Sequence, residues 1–437
     1  MTDPARIVQR TYLVLTLLTT LAASFIWGIN TLFLLDAGLS NAEAFAANAF
    51  FTVGQVLFEV PTGVVADARG RRFSYVLGAG TLLLSTLLYL VMWQVHAPLW
   101  GWAIASILLG LGFTFFSGAT EAWLVDALRA TGFTGNLERV FGRAQTISGV
   151  AMLVGSVSGG LIAQATNLGV PYLFRAAMLG VTLVVALRFM HDLGFTPERG
   201  VGPAKAVRNV VRGAVDGGFR NPPVRWLMLA APFTAGTGIY VFYAAQPYLL
   251  ELYGDQTAYG VAGLAAALVA GAQIVGGLAV GRVRRFFTRR TDALLLGGVL
   301  NVILLGLIGL TNSFIVALVL LAGWSLVFAM ESPLRQAYIN GLIPSEQRAT
   351  VLSFDSLMGS AGGVVAQPAL GRTADVYGYP TTYVVSAVIQ ALAVPFTFLA
   401  RREKASSDPI SEVPEPLPEG VAVEHANPVA VGPEPPA

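Results

Sequence analysis

The long apolar runs of this chain limit what it can fold into more than any other feature of the sequence. A helix that crosses a bilayer needs about 20 mostly apolar residues, and twelve stretches of that kind can be placed here. Hydrophobic residues make up 55% of the 437 residues and charged residues 12%, whereas a typical soluble domain is roughly 25% charged. We therefore expect an all-α integral membrane protein with twelve transmembrane spans. The predicted spans are 11–36, 42–66, 72–94, 98–127, 140–164, 171–190, 225–253, 257–281, 291–311, 313–338, 349–371 and 380–400.

The distribution of lysine and arginine predicts how the chain is oriented. If both termini lie on one side, all 27 basic residues except Arg175 and Arg372 fall at that end of the spans or in the loops there. Basic residues accumulate on the cytoplasmic side of membrane proteins. The sequence therefore predicts a multi-pass protein of the cytoplasmic (inner) membrane with both termini in the cytoplasm.

The two halves of the chain resemble each other. The segment GVVADARGRR (63–72) ends span 2 and GLAVGRVRR (277–285) ends span 8. In the same order, EAWL (121–124) of span 4 corresponds to QAYI (336–339) of span 10. Near-equal offsets in chain order indicate two duplicated six-helix units.

These patterns predict four parts of the chain. An N-terminal six-helix bundle covers residues 1–190, a cytoplasmic linker covers 191–224, and a second six-helix bundle covers 225–400. Residues 401–437 form a cytoplasmic tail that is rich in proline and acidic residues. We expect the tail to be disordered from Ser406 onward, because it cannot bury enough apolar surface to offset chain entropy.

The loop between spans 2 and 3 carries the pattern G-x-x-x-D-x-x-G-R-R, formed by Gly63, Asp67, Gly70, Arg71 and Arg72. Together with twelve spans and a central loop, this motif resembles the signature loop of the major facilitator superfamily, and the resemblance covers most of the chain. It implies two pseudo-symmetric six-helix bundles that transport a solute by alternating access. Transporters built from repeats bind their cargo between the repeats, near the middle of the membrane.

Two further segments, SGATEAWLVD and FEVPTGVVAD, look like sequences of bacterial facilitators, some of which are exporters. This favours an efflux-like branch of the family. Two positions depart from a related drug-antiporter pattern: Ser156 replaces a proline in span 5, and Ser106 replaces a buried arginine in span 4. The cargo and the direction of transport therefore stay open.

The resemblance also implies a conformational gate. In the family, this loop holds the two bundles together in the outward-facing state. By analogy, Asp67 meets the N-terminal start of span 11, where the helix dipole favours a carboxylate, and Arg71 pairs with an acid such as Asp126 of span 4. The alternative is that these charges only end the helices and set the topology. Gly63 and Gly70 permit close helix approach and the turn.

Ionisable residues inside spans are costly and point to function. Glu59 of span 2 and Glu121 of span 4 are candidates for proton coupling, because burial favours the neutral form of a carboxyl group. The alternative is that neighbouring hydroxyls or arginines satisfy both carboxylates structurally. Glu331 and Arg335 are spaced i,i+4 in span 10 and are predicted to pair, and Asp355 in span 11 is a further polar candidate.

Aromatic and amide side chains on spans 1, 7 and 8 are candidates for lining the cargo cavity. Aromatic walls with a few polar groups suit amphipathic organic molecules, although tyrosines at helical spacing also serve as packing residues. The candidates are Trp27, Asn30, Tyr240, Tyr243, Gln246 and Gln273.

Several functional classes are disfavoured. The chain has no cysteine and a net charge of only +2, and its three histidines lie outside the apolar runs. These features exclude thiol chemistry and do not suit nucleic-acid binding. No nucleotide-binding loop, metal-ligand cluster or nucleophile–base pattern is recognisable, so we expect neither an enzyme nor a cofactor or metal.

The favoured function is proton-coupled export of a small organic solute by alternating access. Proton-linked uptake of a metabolite or anion is the first alternative, and a sensor or structural membrane protein that moves nothing is the second. Because twelve spans in one chain can form a complete pathway, we expect a monomer whose partners are its solute, protons and the lipid bilayer.

Overall fold

Helices form every predicted span, because lipid offers no partner for backbone N–H and C=O groups and a helix satisfies them internally. The computed structural model describes residues 4–116, 119–196, 208, 212, 215–343 and 345–410. Much of the predicted linker and the tail beyond Ile410 lie outside these residues. Spans 1 to 6 are Pro4–Trp27 with Asn30–Asp36, Asn41–Arg69, Arg71–Gln94, Leu99–Thr114 with Ala119–Ala130, Leu137–Ala165 and Gly169–Phe189. Spans 7 to 12 are Pro222–Tyr253, Tyr259–Val283, Arg290–Leu310, Phe314–Asn340, and Ser345–Ala391 with Ala393–Arg402.

Spans 11 and 12 run into each other. The described residues contain eleven helical segments long and apolar enough to cross a membrane, and the last, Val351–Arg402, has 52 residues. That length exceeds twice the roughly 20 residues of one crossing, and Gly378 interrupts the helix with a φ of +78°. The segment therefore supplies two crossings, and the predicted all-α fold with twelve spans is confirmed.

The two sets of six spans pack with the same pairings. In the first half, span 1 packs along span 5, span 2 along span 4, and span 3 along span 6. In the second half, span 7 packs along span 11, span 8 along span 10, and span 9 along span 12. The same arrangement six spans later is the structural counterpart of the sequence repeat.

The halves meet where spans 2 and 5 pack against spans 11 and 8. We call the end of the molecule that holds most arginines the basic end, and the other the opposite end. Toward the opposite end, a Cβ on Gly160 of span 5 would lie 2.9 Å from the Gly263 Cα of span 8, so small residues are required there. Toward the basic end, a Cβ on Gly63 or Gly277 would meet no described atom of a neighbouring segment within 4 Å. The halves are therefore joined at the opposite end and apart at the basic end.

The first residues of the C-terminal tail are folded, which corrects the expectation of disorder for 406–410. Asp408 is 2% exposed, and its carboxylate accepts hydrogen bonds from the N–H and the hydroxyl of Thr291, both at 2.9 Å. The Ser407 hydroxyl donates to the carbonyl of Tyr338 at 2.7 Å. A carboxylate at the N-terminus of span 9 satisfies donors that the helix leaves unpaired, a gain that the tail's composition does not reveal.

We expect Asp408→Ala to lower the free energy of unfolding by about 1–2 kcal/mol, because two donors of Thr291 lose their acceptors. Thermal unfolding of the purified protein in detergent measures the change. Asp255→Ala is the matched control, since that carboxylate accepts hydrogen bonds from Thr257 in an exposed turn; its effect on stability should be much smaller. Equal effects of the two variants would contradict a stabilising role for the docked tail.

Candidate functional site

A cavity of about 260 Å³ lies beside the break in span 1, and we call it the central cavity. Trp27 and Asn30, which flank the break, both line it. Among the described lining residues, Tyr243 of span 7 alone comes from the second half. Three of the six predicted cavity residues are therefore brought together here, mainly on the first half of the molecule.

Gln246 bridges the two halves and does not line the central cavity. Its Nε2 donates to the carbonyl of Trp27 and its Oε1 accepts from the N–H of Thr31, both at 2.8 Å. Those two backbone groups are four residues apart and would bond to each other in an uninterrupted helix. The amide of span 7 thus replaces the missing hydrogen bond of span 1, in a region where lipid offers no substitute.

Tyr240 and Gln273 also lie away from the central cavity. Tyr240 is fully buried, its ring centroid lies 4.5 Å from that of Phe45, and its hydroxyl donates to the carbonyl of Leu370 at 3.5 Å. Gln273 is half-buried in span 8. Positions 240, 243 and 246 spread over about 120° around a helix. For that reason Tyr240 packs in the core, Tyr243 lines the central cavity and Gln246 bridges the two halves.

Arg175 of span 6 lines the central cavity and is missing from the predicted site residues. It is 3% exposed, and it donates from Nε to the Thr86 hydroxyl at 3.0 Å and from Nη1 to the Ala22 carbonyl at 3.4 Å. Both acceptors are neutral, and no described carboxylate forms an ion pair with Arg175. In the sequence, Arg175 stands out only as an exception to the charge distribution, although a lone arginine within an apolar run is itself a signal of function.

A chain of hydrogen bonds runs into the wall of the central cavity. The Tyr172 hydroxyl donates to Asn30 Oδ1, and Asn30 Nδ2 donates to Asn48 Oδ1, both at 2.9 Å. Asn48 is 5% exposed, and its Nδ2 has no partner among the described residues. Asn48 lines the same cavity as Arg175, so the cavity wall contains a buried donor that lacks an acceptor.

Glu59 and Glu121 line a second cavity of about 480 Å³, which we call the vestibule. Gln55 and Phe113 line both cavities, so the two spaces adjoin. Both carboxylates are exposed, which corrects the expectation that they are buried. The reason is the separation of the halves at the basic end, which leaves this part of spans 2 and 4 uncovered.

The three polar candidates of spans 10 and 11 are paired differently from the prediction. Arg335 forms an ion pair with Asp355 through two hydrogen bonds and donates a third to the carbonyl of Leu227 at 3.0 Å. Glu331 instead accepts a hydrogen bond from Asn301 Nδ2 at 3.0 Å. The i,i+4 spacing permits a Glu331–Arg335 pair, but a guanidinium binds best where a carboxylate takes two bonds at once.

Asp67 and Arg71 pair with each other across the turn at Gly70. Asp67 Oδ1 lies 2.6 Å from Arg71 Nη1, and Gly70 has a φ of +107°, a conformation that favours glycine. The implied pair of Arg71 with Asp126 does not form in this conformation. Arg71 instead neutralises the acid of its own motif.

The motif of span 2 recurs at the end of span 11. GVVADARG (63–70) and GRTADVYG (371–378) share the pattern G-x-x-A-D-x-x-G, and the last glycine of each has a positive φ, +107° and +78°. We call residues 63–70 the basic-end latch and residues 371–378 the opposite-end latch. Comparing span 2 with span 8 leaves the second copy undetected, although a search for the full pattern would have found it.

Asp375 of the opposite-end latch holds the N-terminus of span 2. Its carboxylate accepts hydrogen bonds from the N–H groups of Asn41 at 2.9 Å and Ala42 at 3.0 Å. A Cβ on Gly371 would come within 2.7 Å of the Asn41 carbonyl oxygen, whereas one on Gly63 would meet no described atom of another segment within 4 Å. The opposite-end latch therefore contacts span 2 of the other half, whereas a Cβ on Gly63 of the basic-end latch would meet no described atom of another segment.

We expect Asp355→Asn to lower the free energy of unfolding by about 1–3 kcal/mol, because it leaves the guanidinium of Arg335 without its carboxylate. Asp292→Asn is the matched control: Asp292 pairs with Arg401 at 2.6 Å, and both side chains are partly exposed, so its loss should stay below about 1 kcal/mol. Thermal unfolding of both variants measures the difference. A larger loss for Asp292→Asn would contradict a structural role for the Arg335–Asp355 pair.

Comparisons with known proteins agree with this geometry. The family model described as Major Facilitator Superfamily matches residues 12–285 and 233–430. An uncharacterized MFS-type transporter of Methanocaldococcus jannaschii is 22% identical over 184 residues, 42% of this chain and 46% of that protein. The class H tetracycline resistance protein of Pasteurella multocida is 28% identical over 144 residues, 33% of this chain and 34% of that protein. The chain thus spans less than half the length of the curated relatives that it matches.

Solved structures show the same fold at low sequence identity. The nucleoside transporter NupG superposes with a TM-score of 0.75 at 10% identity, over 90% of this chain and 99% of that one. The POT family transporter PepTSo superposes with a TM-score of 0.69 at 14% identity, over 92% and 99% of the two chains. Because the family model matches most of its residues and the fold agrees, this chain belongs to the major facilitator superfamily.

Proposed function

We propose that the protein is a secondary transporter that moves a small organic solute across the cytoplasmic membrane by alternating access. The observation that carries the proposal is the pair of latches. Two copies of one motif lie at opposite ends of the molecule, on spans 2 and 11, which pack against each other across the two halves. One copy is engaged and the other is released, as expected of a pathway that is closed at one end at a time.

In this proposal the basic end faces the cytoplasm, because basic residues accumulate on that side. The structure then represents the state that is open to the cytoplasm, with the central cavity reached through the vestibule. The reciprocal state follows from the repeat. Asp375 releases the N-terminus of span 2, while Asp67 leaves Arg71 and engages the N-terminal end of span 11.

Exchange of protons is the proposed energy source, with Glu59 and Glu121 as the carriers. Both carboxylates face the open vestibule in this state. Closing the basic end removes water from the vestibule, and a carboxyl group that loses water favours its protonated form. Loading of protons is thereby linked to closure.

Export is the direction we favour, and the relative named for tetracycline resistance supports it. Uptake of an anion remains the second candidate, because the central cavity contains the unpaired cation of Arg175. Both directions use the same two latches, so the test of alternating access does not depend on the choice between them.

Asp67→Asn and Asp375→Asn should shift the conformational equilibrium in opposite directions. A charged carboxylate at a helix N-terminus contributes about 1 kcal/mol, which corresponds to roughly a fivefold change in a population ratio. Asp67→Asn should favour the state open at the basic end, and Asp375→Asn the state open at the opposite end.

Electron–electron distance measurements on spin-labelled cysteine pairs report these populations, and the chain has no native cysteine to remove. Exposed positions on the two halves suit the labels: Arg139 with Arg285 at the basic end and Thr166 with Gln256 at the opposite end. Identical distance distributions in both variants and the parent would overturn the latch mechanism.

Lowering the pH should favour the state closed at the basic end, because protonated carboxyl groups lose less hydration when the vestibule closes. The same label pairs in liposomes measure the shift. Glu59→Gln combined with Glu121→Gln should abolish the dependence on pH, whereas the exposed Glu138→Gln outside the vestibule should preserve it. A pH response that survives the double substitution would exclude these two residues as proton carriers.

A further inference from the structure

We propose that the central cavity binds organic anions, with Arg175 as the residue that pairs with the anionic group. This assignment rests on the proposed function, because it names the cargo of the same cavity. An oxyanion such as a carboxylate would pair with the guanidinium, while the apolar part of the cargo packs against the aromatic wall.

The first argument is the charge of Arg175. A guanidinium stays protonated in proteins, and a charge in the membrane interior is costly unless it is paired. Arg175 is 3% exposed, and its partners are the neutral oxygens of Thr86 and Ala22. By contrast, Arg335 in the second half has the carboxylate of Asp355 beside it. The described residues thus supply a counter-ion to the half-buried Arg335 and none to the more deeply buried Arg175.

The second argument is the chemistry of the remaining wall. Arg175 is the one charged group among the described lining residues of the central cavity. Asn48 Nδ2 adds a donor without a partner. Because both groups are donors, a ligand that brings acceptor oxygens satisfies them. A cationic ligand would face a guanidinium with no acid to offset the repulsion.

The third argument is the apolar surface around these donors. Trp27, Phe51, Phe113 and Tyr243 line the cavity together with Arg175. The volume of about 260 Å³ suits a molecule of one or two rings rather than an inorganic ion. Such pockets bind the apolar body of a ligand and use a few polar groups to fix its orientation. The arrangement therefore selects an amphipathic anion.

The acidic residues of the vestibule fit the same assignment. Glu59 and Glu121 lie beyond Gln55 and Phe113, on the route to the basic end. As carboxylates they repel an anion, and once protonated they do not. An anionic cargo that passes the vestibule together with protons would move in the direction of the uptake candidate, whereas export requires the anion to enter while these two residues are deprotonated.

The test compares probes that share a ring and differ in charge. Benzoate and 2-naphthoate are anionic near neutral pH, benzamide is neutral and benzamidine is cationic. Each is added to the purified protein at up to about 10 mM, a concentration that occupies most of even a millimolar site, and thermal unfolding is recorded. A ligand that binds the folded protein raises the melting temperature. We expect stabilisation by at least one carboxylate and none by benzamide or benzamidine.

Variants of Arg175 connect binding to this side chain. Arg175→Gln should weaken carboxylate binding at least about tenfold, because a charge-assisted hydrogen bond is lost. Arg175→Lys should bind with an intermediate affinity, since it keeps the charge and loses the two-pronged geometry. Arg188→Gln is the matched control: it removes the same charge from an exposed position of the same helix and should leave binding unchanged.

The outcomes separate this assignment from the proposed function. Two results would overturn the anion assignment even if the labelled protein still exchanges between its two states. In the first, benzamide or benzamidine raises the melting temperature as much as the carboxylates do. In the second, no probe raises it. Carboxylate binding that depends on Arg175 in a protein with no such exchange would support the anion site and contradict transport. A purely structural role of Arg175 would give a different set of results. Unliganded Arg175→Gln would melt far below the parent, Arg175→Lys would bind carboxylates as the parent does, and the response of the parent to the probes would not depend on their charge.

Discussion

The absence of hydrogen-bond partners in lipid is the constraint on which the rest of this structure depends. It makes every span a helix, and it requires a local solution wherever a helix is interrupted. The break in span 1 shows this most directly, because Gln246 reaches from the other half of the molecule to satisfy Trp27 and Thr31. The break next to the cavity is therefore also one of the points at which the two halves are joined.

In the proposed mechanism, the same constraint allows a gate to be built from few residues. A helix N-terminus carries unpaired N–H groups and partial positive charge, and a carboxylate satisfies both. Asp375 does so for span 2, and Asp408 does so for span 9. In Asp375 the carboxylate and the helix it caps belong to different halves, so separation of the halves breaks the cap. In the proposed cycle, a carboxylate cap that stabilises ordinary helices thus becomes reversible, because it joins two halves that move apart.

Composition and local motifs were sufficient to predict the architecture. Apolar length predicted twelve spans, and the pattern around Asp67 predicted the family, because both depend on residues close together in the chain. The partners of charged side chains were harder to predict. Glu331 and Arg335 have the spacing of a helical pair, yet Arg335 binds Asp355 of a neighbouring span, which i,i+4 spacing cannot indicate. Arg175 escaped notice for a related reason: its importance comes from what surrounds it in space, a cavity without an acid.

The central cavity is walled almost entirely by the first half of the molecule, with Tyr243 as the contribution of the second. If the two halves rotate as rigid bodies in the proposed cycle, the lining residues of the first half keep their mutual distances around a bound solute. The solute would then stay fixed relative to the first bundle, while the second bundle moves to open or close access to the cavity. Substitutions in the second half would then change how the pathway opens with little direct effect on the contacts that select the cargo.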